Sequence, residues 1–327
     1  MTARLVSILC FATVIFAHNY GMAQGKKIRI AIPGYTITSA PFLVAHLNGY
    51  YTKEGLEEEI ISMRAPTANL AVLAGNVEFS TVPTVGLVSA LRGAPLKLVF
   101  SAFDKPQHSL FTKPEVQNLT MLRGKSVAVS GIAAVDDVLL KELLSAHGVD
   151  ASRAITILAI GNADTRFGAL VSRTIDATTL ISPLTFKAKD MGFRELVSFA
   201  EHNFIMPGGG VIVREQLLKT DPSLVERFLR ASLMGLLFLR ENRADSIRLL
   251  AQALKVDEPL AARIYEATRP TMTVDGDLSL DAQRQVIRLI SKMAEVKDAP
   301  NPDKLFDFSL LRQSRSALKA TGWRPGP

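Results

Sequence analysis

Few side chains in this sequence stand at spacings that support bond-making chemistry. Gly124-Lys125-Ser126 looks like the end of a phosphate loop, but such a loop needs a glycine five residues earlier, where Leu119 stands. The triplet also leads into a strand-like run rather than a helix. Gly208-Gly209-Gly210 lacks dinucleotide-binding spacing and precedes Val211-Ile212-Val213, so it reads as a hinge or the start of a strand. No pair of histidines at helical spacing and no cluster of carboxylates suggests a metal. His46 and His147 fall on predicted helices, whereas His108 and His202 fall in loops near expected lobe boundaries, where a functional role stays open. Asp136 and Asp137 begin a helix, where carboxylates suit the positive end of the macrodipole. No catalytic residue, metal or cofactor is expected.

Four loops of small polar residues offer binding chemistry instead. They are Tyr35 to Ser39, Ser80 to Thr84, Ser130 to Ala134 and Thr178 to Ser182. Hydroxyls and free backbone N–H groups at helix starts suit a carboxylate, a sulfonate or a similar anion. Capping and turn chemistry explains any one such loop, but four at equivalent places point to a shared cleft. The candidate ligand contacts are Tyr35, Thr36, Thr38, Ser39, Thr81, Pro83, Phe103, Ser130, Gly131, Thr179 and Ser182. Tyr35 or Phe103 would serve as a stacking surface.

The elements that must position these loops alternate between strand-like and helical runs. Strands are predicted over 28–32, 56–61, 79–81 and 96–101, with helices over 40–51, 68–74 and from 83 to near 93. This alternation argues for parallel sheets covered by helices, an α/β fold. The pattern then repeats. Gly34 recurs as Gly131, Glu78 as Asp176, Pro83 as Pro183 and Gly93 as Gly192, at offsets of 97, 98, 100 and 99 residues. Two lobes of one design follow. From Asp221 onward the periodicity turns helical, as in Leu224, Phe228, Leu229 and Leu233, which predicts a helical region packed back on the first lobe.

The first residues read as an export signal. Arg4 precedes an uncharged run of 13 residues from Leu5 to Ala17, and Gly21-Met22-Ala23 places small residues at a cleavage site. A membrane-spanning helix needs about 20 apolar residues, so a cleaved leader is expected over a permanent anchor. The only cysteine, Cys10, lies inside this leader, which leaves the mature chain without thiol or disulfide chemistry. The 327 residues carry a net charge of +7, but lysine and arginine are dispersed, so a nucleic-acid partner is not expected.

Several strings resemble a known family, the nitrate/taurine/alkanesulfonate-type periplasmic solute-binding proteins of ABC importers and their relatives that bind thiamine-pyrimidine precursors. They are Gly49-Tyr50-Tyr51-Thr52-Lys53-Glu54-Gly55-Leu56-Glu57, Leu73-Ala74-Gly75-Asn76-Val77-Glu78-Phe79 and Gly93-Ala94-Pro95-Leu96-Lys97. Leu122 to Val129, Ile175-Asp176-Ala177 and Phe306 to Leu311 continue the series. The resemblance implies a type II periplasmic binding fold, two α/β lobes with a hinge and a ligand cleft, with chain crossings near Phe103–Ser109 and after Val213. It implies residues 1–23 as signal peptide, 24–106 as the first part of lobe 1, 107–214 as lobe 2 and 215–327 as a helical return. It further implies a monomeric, non-enzymatic periplasmic receptor that delivers a small, anionic organic solute to an ABC permease in the inner membrane. Two alternatives stay open: a pyrimidine-precursor synthase, whose yeast-type motif is cysteine-rich, and a ligand-sensing domain for a signalling partner.

Overall fold

The computed structural model describes residues 25–326 apart from 133, 203 and 295. The expected leader, with Cys10 and the cleavage point after Ala23, lies outside the described residues. Strand β1 (Lys26–Ile32) is solvated at its start and buried at its end, as suits the centre of a sheet. It pairs in parallel with β2 (Leu56–Ser62) along its whole length and with β3 (Phe79–Ser80). On β2, Glu57 and Glu59 alternate outward, which fits a solvated edge strand. β4 (Leu96–Phe103) completes the first sheet, whose order is β2-β1-β3-β10-β4.

The second sheet holds β5 (His108–Thr112), β6 (Ser126–Val129), β7 (Thr156–Ala159), β8 (Ala177–Ile181) and β9 (Arg194–Ser198), in the order β7-β6-β8-β5-β9. In each sheet the antiparallel fourth position belongs to a strand that has just crossed from the other lobe. That strand is β10 (Gly208–Arg214) in the first sheet and β5 in the second. The expected repeat also has a shared device. Glu78 accepts the backbone N–H of Arg29 at 2.7 Å, and Asp176 accepts that of Ser126 at 3.0 Å. Each carboxylate pins the strand that opens its repeat, β1 in the first lobe and β6 in the second.

The chain leaves the first sheet at Phe103 and enters the second at His108, as expected. The second crossing differs from expectation, because the chain returns between Ser198 and Gly208 rather than after Val213. Residues 208–214 therefore belong to the first sheet, paired with β4, and not to the second lobe. Val211-Ile212-Val213 would be buried in either sheet, so local pattern does not reveal its partner. Glycine is required at this return. Gly209 has φ +56°, and a Cβ there would collide with the carbonyl of Thr38.

The C-terminal helices pack on the first lobe. The helix Pro222–Glu241 is capped by Asp221, whose carboxylate accepts the Leu224 N–H at 3.1 Å. Its Phe228 ring stacks on Phe79 with centroids 3.6 Å apart and lies against Tyr51 and Phe42. Helix Ser309–Ala320 packs on the outer side of the same helix. The second lobe has separate cores on its two sheet faces, one around Leu139, Leu140 and Leu143 and one around Phe111, Leu170 and Leu180. Two ion pairs join the returning helices to the second lobe, Arg263 to Asp190 and Lys292 to Glu142. Among the described residues no helix is long and apolar enough to cross a membrane.

Candidate functional site

The loops after β1, β3, β6, β7 and β8 all open toward one cavity between the two sheets. Ligands in open α/β sheets bind beyond these carboxyl ends of strands. The cavity encloses about 110 Å³. Thr36, Thr38, Thr81, Pro83 and Ser130 line it, so those sequence candidates are brought together. Pro33, Val82, Val135, Ile181 and Pro207 supply apolar wall, and Arg64, Gln107, His108, Asn162 and Arg166 supply polar groups.

The other candidates lie elsewhere. Tyr35 turns outward, 46% exposed, with the Lys255 ammonium 4.9 Å from its ring centroid. Phe103 is fully buried in the first core, so neither aromatic residue forms a wall of the cavity. Ser39 stands at the expected N-cap position, yet its hydroxyl donates to the Gly34 carbonyl at 2.7 Å. Gly131 sits against Pro66 of the opposite lobe, where an added Cβ would meet the Pro66 ring at 3.6 Å. Ser182 shares a hydrogen bond with Thr185 at 2.9 Å, and its carbonyl accepts the Ile37 N–H across the lobes at 3.3 Å. Thr179 is buried behind the cavity.

Its partner there is Asp136, whose role exceeds the helix-dipole contact expected from sequence. Asp136 is fully buried and accepts the Ser130 N–H at 2.7 Å, the Ser130 hydroxyl at 2.5 Å and the Thr179 hydroxyl at 2.5 Å. Arg166, also buried, has a guanidinium nitrogen 3.9 Å from the same carboxylate and donates to the carbonyls of Thr179 and Gly161. Burial alone would raise the Asp136 pKa. The charges of His108 and Arg166, with the two hydroxyl donors, outweigh it and hold the carboxyl below its ordinary range. Burial lowers the His108 pKa, opposed by the Asp136 charge and reinforced by that of Arg166.

Among the described residues, three buried polar atoms at the cavity have no hydrogen-bond partner: Thr81 Oγ1, Thr84 Oγ1 and His108 Nδ1. Thr81 and Thr84 are 1% and 2% exposed. Both flank the start of the helix Pro83–Leu91, which has no side-chain cap. Sequence reasoning missed Thr84, Arg166 and Asn162 as cavity residues. Thr84 sat within a loop already singled out, whereas nothing local marks Arg166 as buried. Among the described residues no group of three or more His, Cys, Asp or Glu side chains could hold a metal ion.

Known proteins resemble the chain at three levels. Riboflavin-binding protein RibY of Chloroflexus aurantiacus is 28% identical over 264 residues, spanning 77% of this chain and 68% of that protein. The 4-amino-5-hydroxymethyl-2-methylpyrimidine phosphate synthase of Legionella pneumophila is 23% identical over 245 residues, spanning 70% and 74%. Among solved structures, the alkanesulfonate-binding protein SsuA of Xanthomonas axonopodis pv. citri superposes with TM-score 0.71 at 19% identity, covering 89% of this chain and 98% of that one. The periplasmic nitrate-binding protein NrtA of Synechocystis gives 0.74 at 11% identity, covering 91% and 90%. These structures share the two-lobed α/β fold of periplasmic binding proteins. The family model described as NMT1/THI5 like matches residues 36–245, well over half of the sequence. The chain belongs to the NMT1/THI5-like family.

Proposed function

We propose that the protein is the solute-binding component of an ABC-type importer, a periplasmic monomer that captures a small organic solute between its lobes and hands it to an inner-membrane permease. The observation that carries this reading is the trio of partnerless buried atoms, Thr81 Oγ1, Thr84 Oγ1 and His108 Nδ1, around one cavity. A buried polar group without a partner costs about 1–3 kcal/mol, a cost a ligand's own polar atoms would remove. The uncapped start of the helix Pro83–Leu91 adds donors for an acceptor or anionic group. The rest of the wall is largely apolar and suits a compact organic body. At about 30 Å³ for each water-sized group, a cavity of 110 Å³ has room for roughly four.

The relatives support binding by their own names, since RibY, SsuA and NrtA are binding proteins. The export-type leader supports a periplasmic location. A synthase reading draws on the Legionella relative. Native mass spectrometry of protein recovered from the periplasm tests the reading. One small solute per chain is expected, released chemically unchanged after incubation. A solute recovered as a converted product would establish an enzyme instead.

A further inference from the structure

The sequence pattern places an anion cradle at Ser130, and the structure fills it with a carboxylate of the protein's own. Asp136 stands in the first turn of the helix Val135–Ala146, where the dipole favours a negative charge. It takes the N–H and hydroxyl of Ser130, the hydroxyl of Thr179 and the charge of Arg166. Ser130 and Arg166 line the cavity, so this arrangement backs part of its second-lobe wall, beside His108 and Asn162. A ligand anion brought to that wall would lose its water and find these hydroxyls already committed, beside a guanidinium already compensated. The first lobe differs. There, among the described residues, two hydroxyls, those of Thr81 and Thr84, are unpartnered beside an uncapped helix start, whereas the second lobe offers His108 Nδ1 alone in that state.

Building on the receptor reading above, we infer that Asp136 is a specificity-determining residue, a resident counter-anion of the second lobe. It makes the solute present an uncharged end to that lobe and its acceptor or anionic end to Thr81 and Thr84. The solute class is then a polar-ended molecule of asymmetric charge, and not a dianion bridging both lobes. The expected anionic cradle of four equivalent loops becomes a one-sided site.

A resident anion should be replaceable by a diffusible one. The test uses the mature chain with Asp136→Ala and Asp136→Gly, and formate, sulfate and chloride as probes at matched ionic strength. Thermal unfolding midpoints are read, so no solute need be known. Millimolar formate should raise the midpoint of both variants by several degrees over chloride, saturably, and should leave the wild type unmoved. The added change Arg166→Gln should remove the formate response. Folded variants that do not distinguish formate from chloride overturn the inference, as does an equal response of the wild type. Variants that stay unfolded in formate as in chloride also contradict it. Failure here leaves the receptor reading standing, because that reading is tested separately, by recovery of an unchanged solute from the native protein and by the affinity of Thr81→Val.

Discussion

Arg263, on a helix of the C-terminal return, holds both carboxylate oxygens of Asp190 on the second lobe, each at 3.2 Å. The same guanidinium lies 4.8 Å from the ring centroid of Phe186. The pair ties the C-terminal return to the second lobe at one place, and Lys292 with Glu142 does so at another. Both pairs are substantially exposed, so each is worth about 0.2–1 kcal/mol and is screened by salt. Arg263→Ala should therefore weaken solute affinity no more than about fivefold, with the effect fading at high salt. Calorimetry at two ionic strengths checks this. A salt-independent loss of a hundredfold would mean that the lobes are held in some other way.

The core offers a larger effect. Phe228 stacks on Phe79 and also meets Tyr51 and Phe42, joining the return helix to the first sheet. Phe228→Ala should lower unfolding free energy by about 3–5 kcal/mol. Urea titration reads it, and a loss below about 1 kcal/mol would show that this side chain does not anchor the return.

The pH dependence has a defined sign. The unfolded chain titrates its histidine near about 6.5, whereas folded His108 titrates lower because it is buried. Below that pH the unfolded chain binds a proton that the folded chain refuses, so stability falls as pH drops through 6.5 toward the lower folded value. Asp136 acts in a separate window. Its depressed pKa contributes stability above about 3.9 that is lost as pH falls below it. Unfolding free energies should decline between pH 7 and 5, and His108→Gln should flatten that slope. An unchanged slope in the variant would assign the effect to another group.

How much of this was legible in the sequence follows from which forces are local. Gly34 and Gly131, Glu78 and Asp176, and the proline-led helices are local devices, so the repeat and the two sheets could be read directly. Thr36, Thr38, Thr81, Pro83 and Ser130 reach the cavity because they follow strand ends, a position the alternation reveals. The partner of β10 could not be read, since three consecutive buried apolar residues look alike in either sheet. Nor could the direction of Tyr35, the burial of Phe103 or the capture of the Ser130 and Thr179 hydroxyls by Asp136. These depend on contacts between residues distant in the chain, such as Thr179 with Asp136.

The central claim is that a solute completes the polar groups of this cavity, and Thr81 tests it most directly. Its hydroxyl is buried without a partner, so Thr81→Val removes an unmet cost from the solute-free protein while removing a donor from the site. The two effects have opposite signs. Calorimetric titration of wild type and variant with the solute released from the native protein is the decisive measurement, with the thermal midpoint of each solute-free form taken alongside. Affinity in the variant should fall by about 1 kcal/mol or more, roughly fivefold or greater, while its midpoint stays level or rises. Unchanged affinity, with or without a change in midpoint, would contradict solute capture at this cavity.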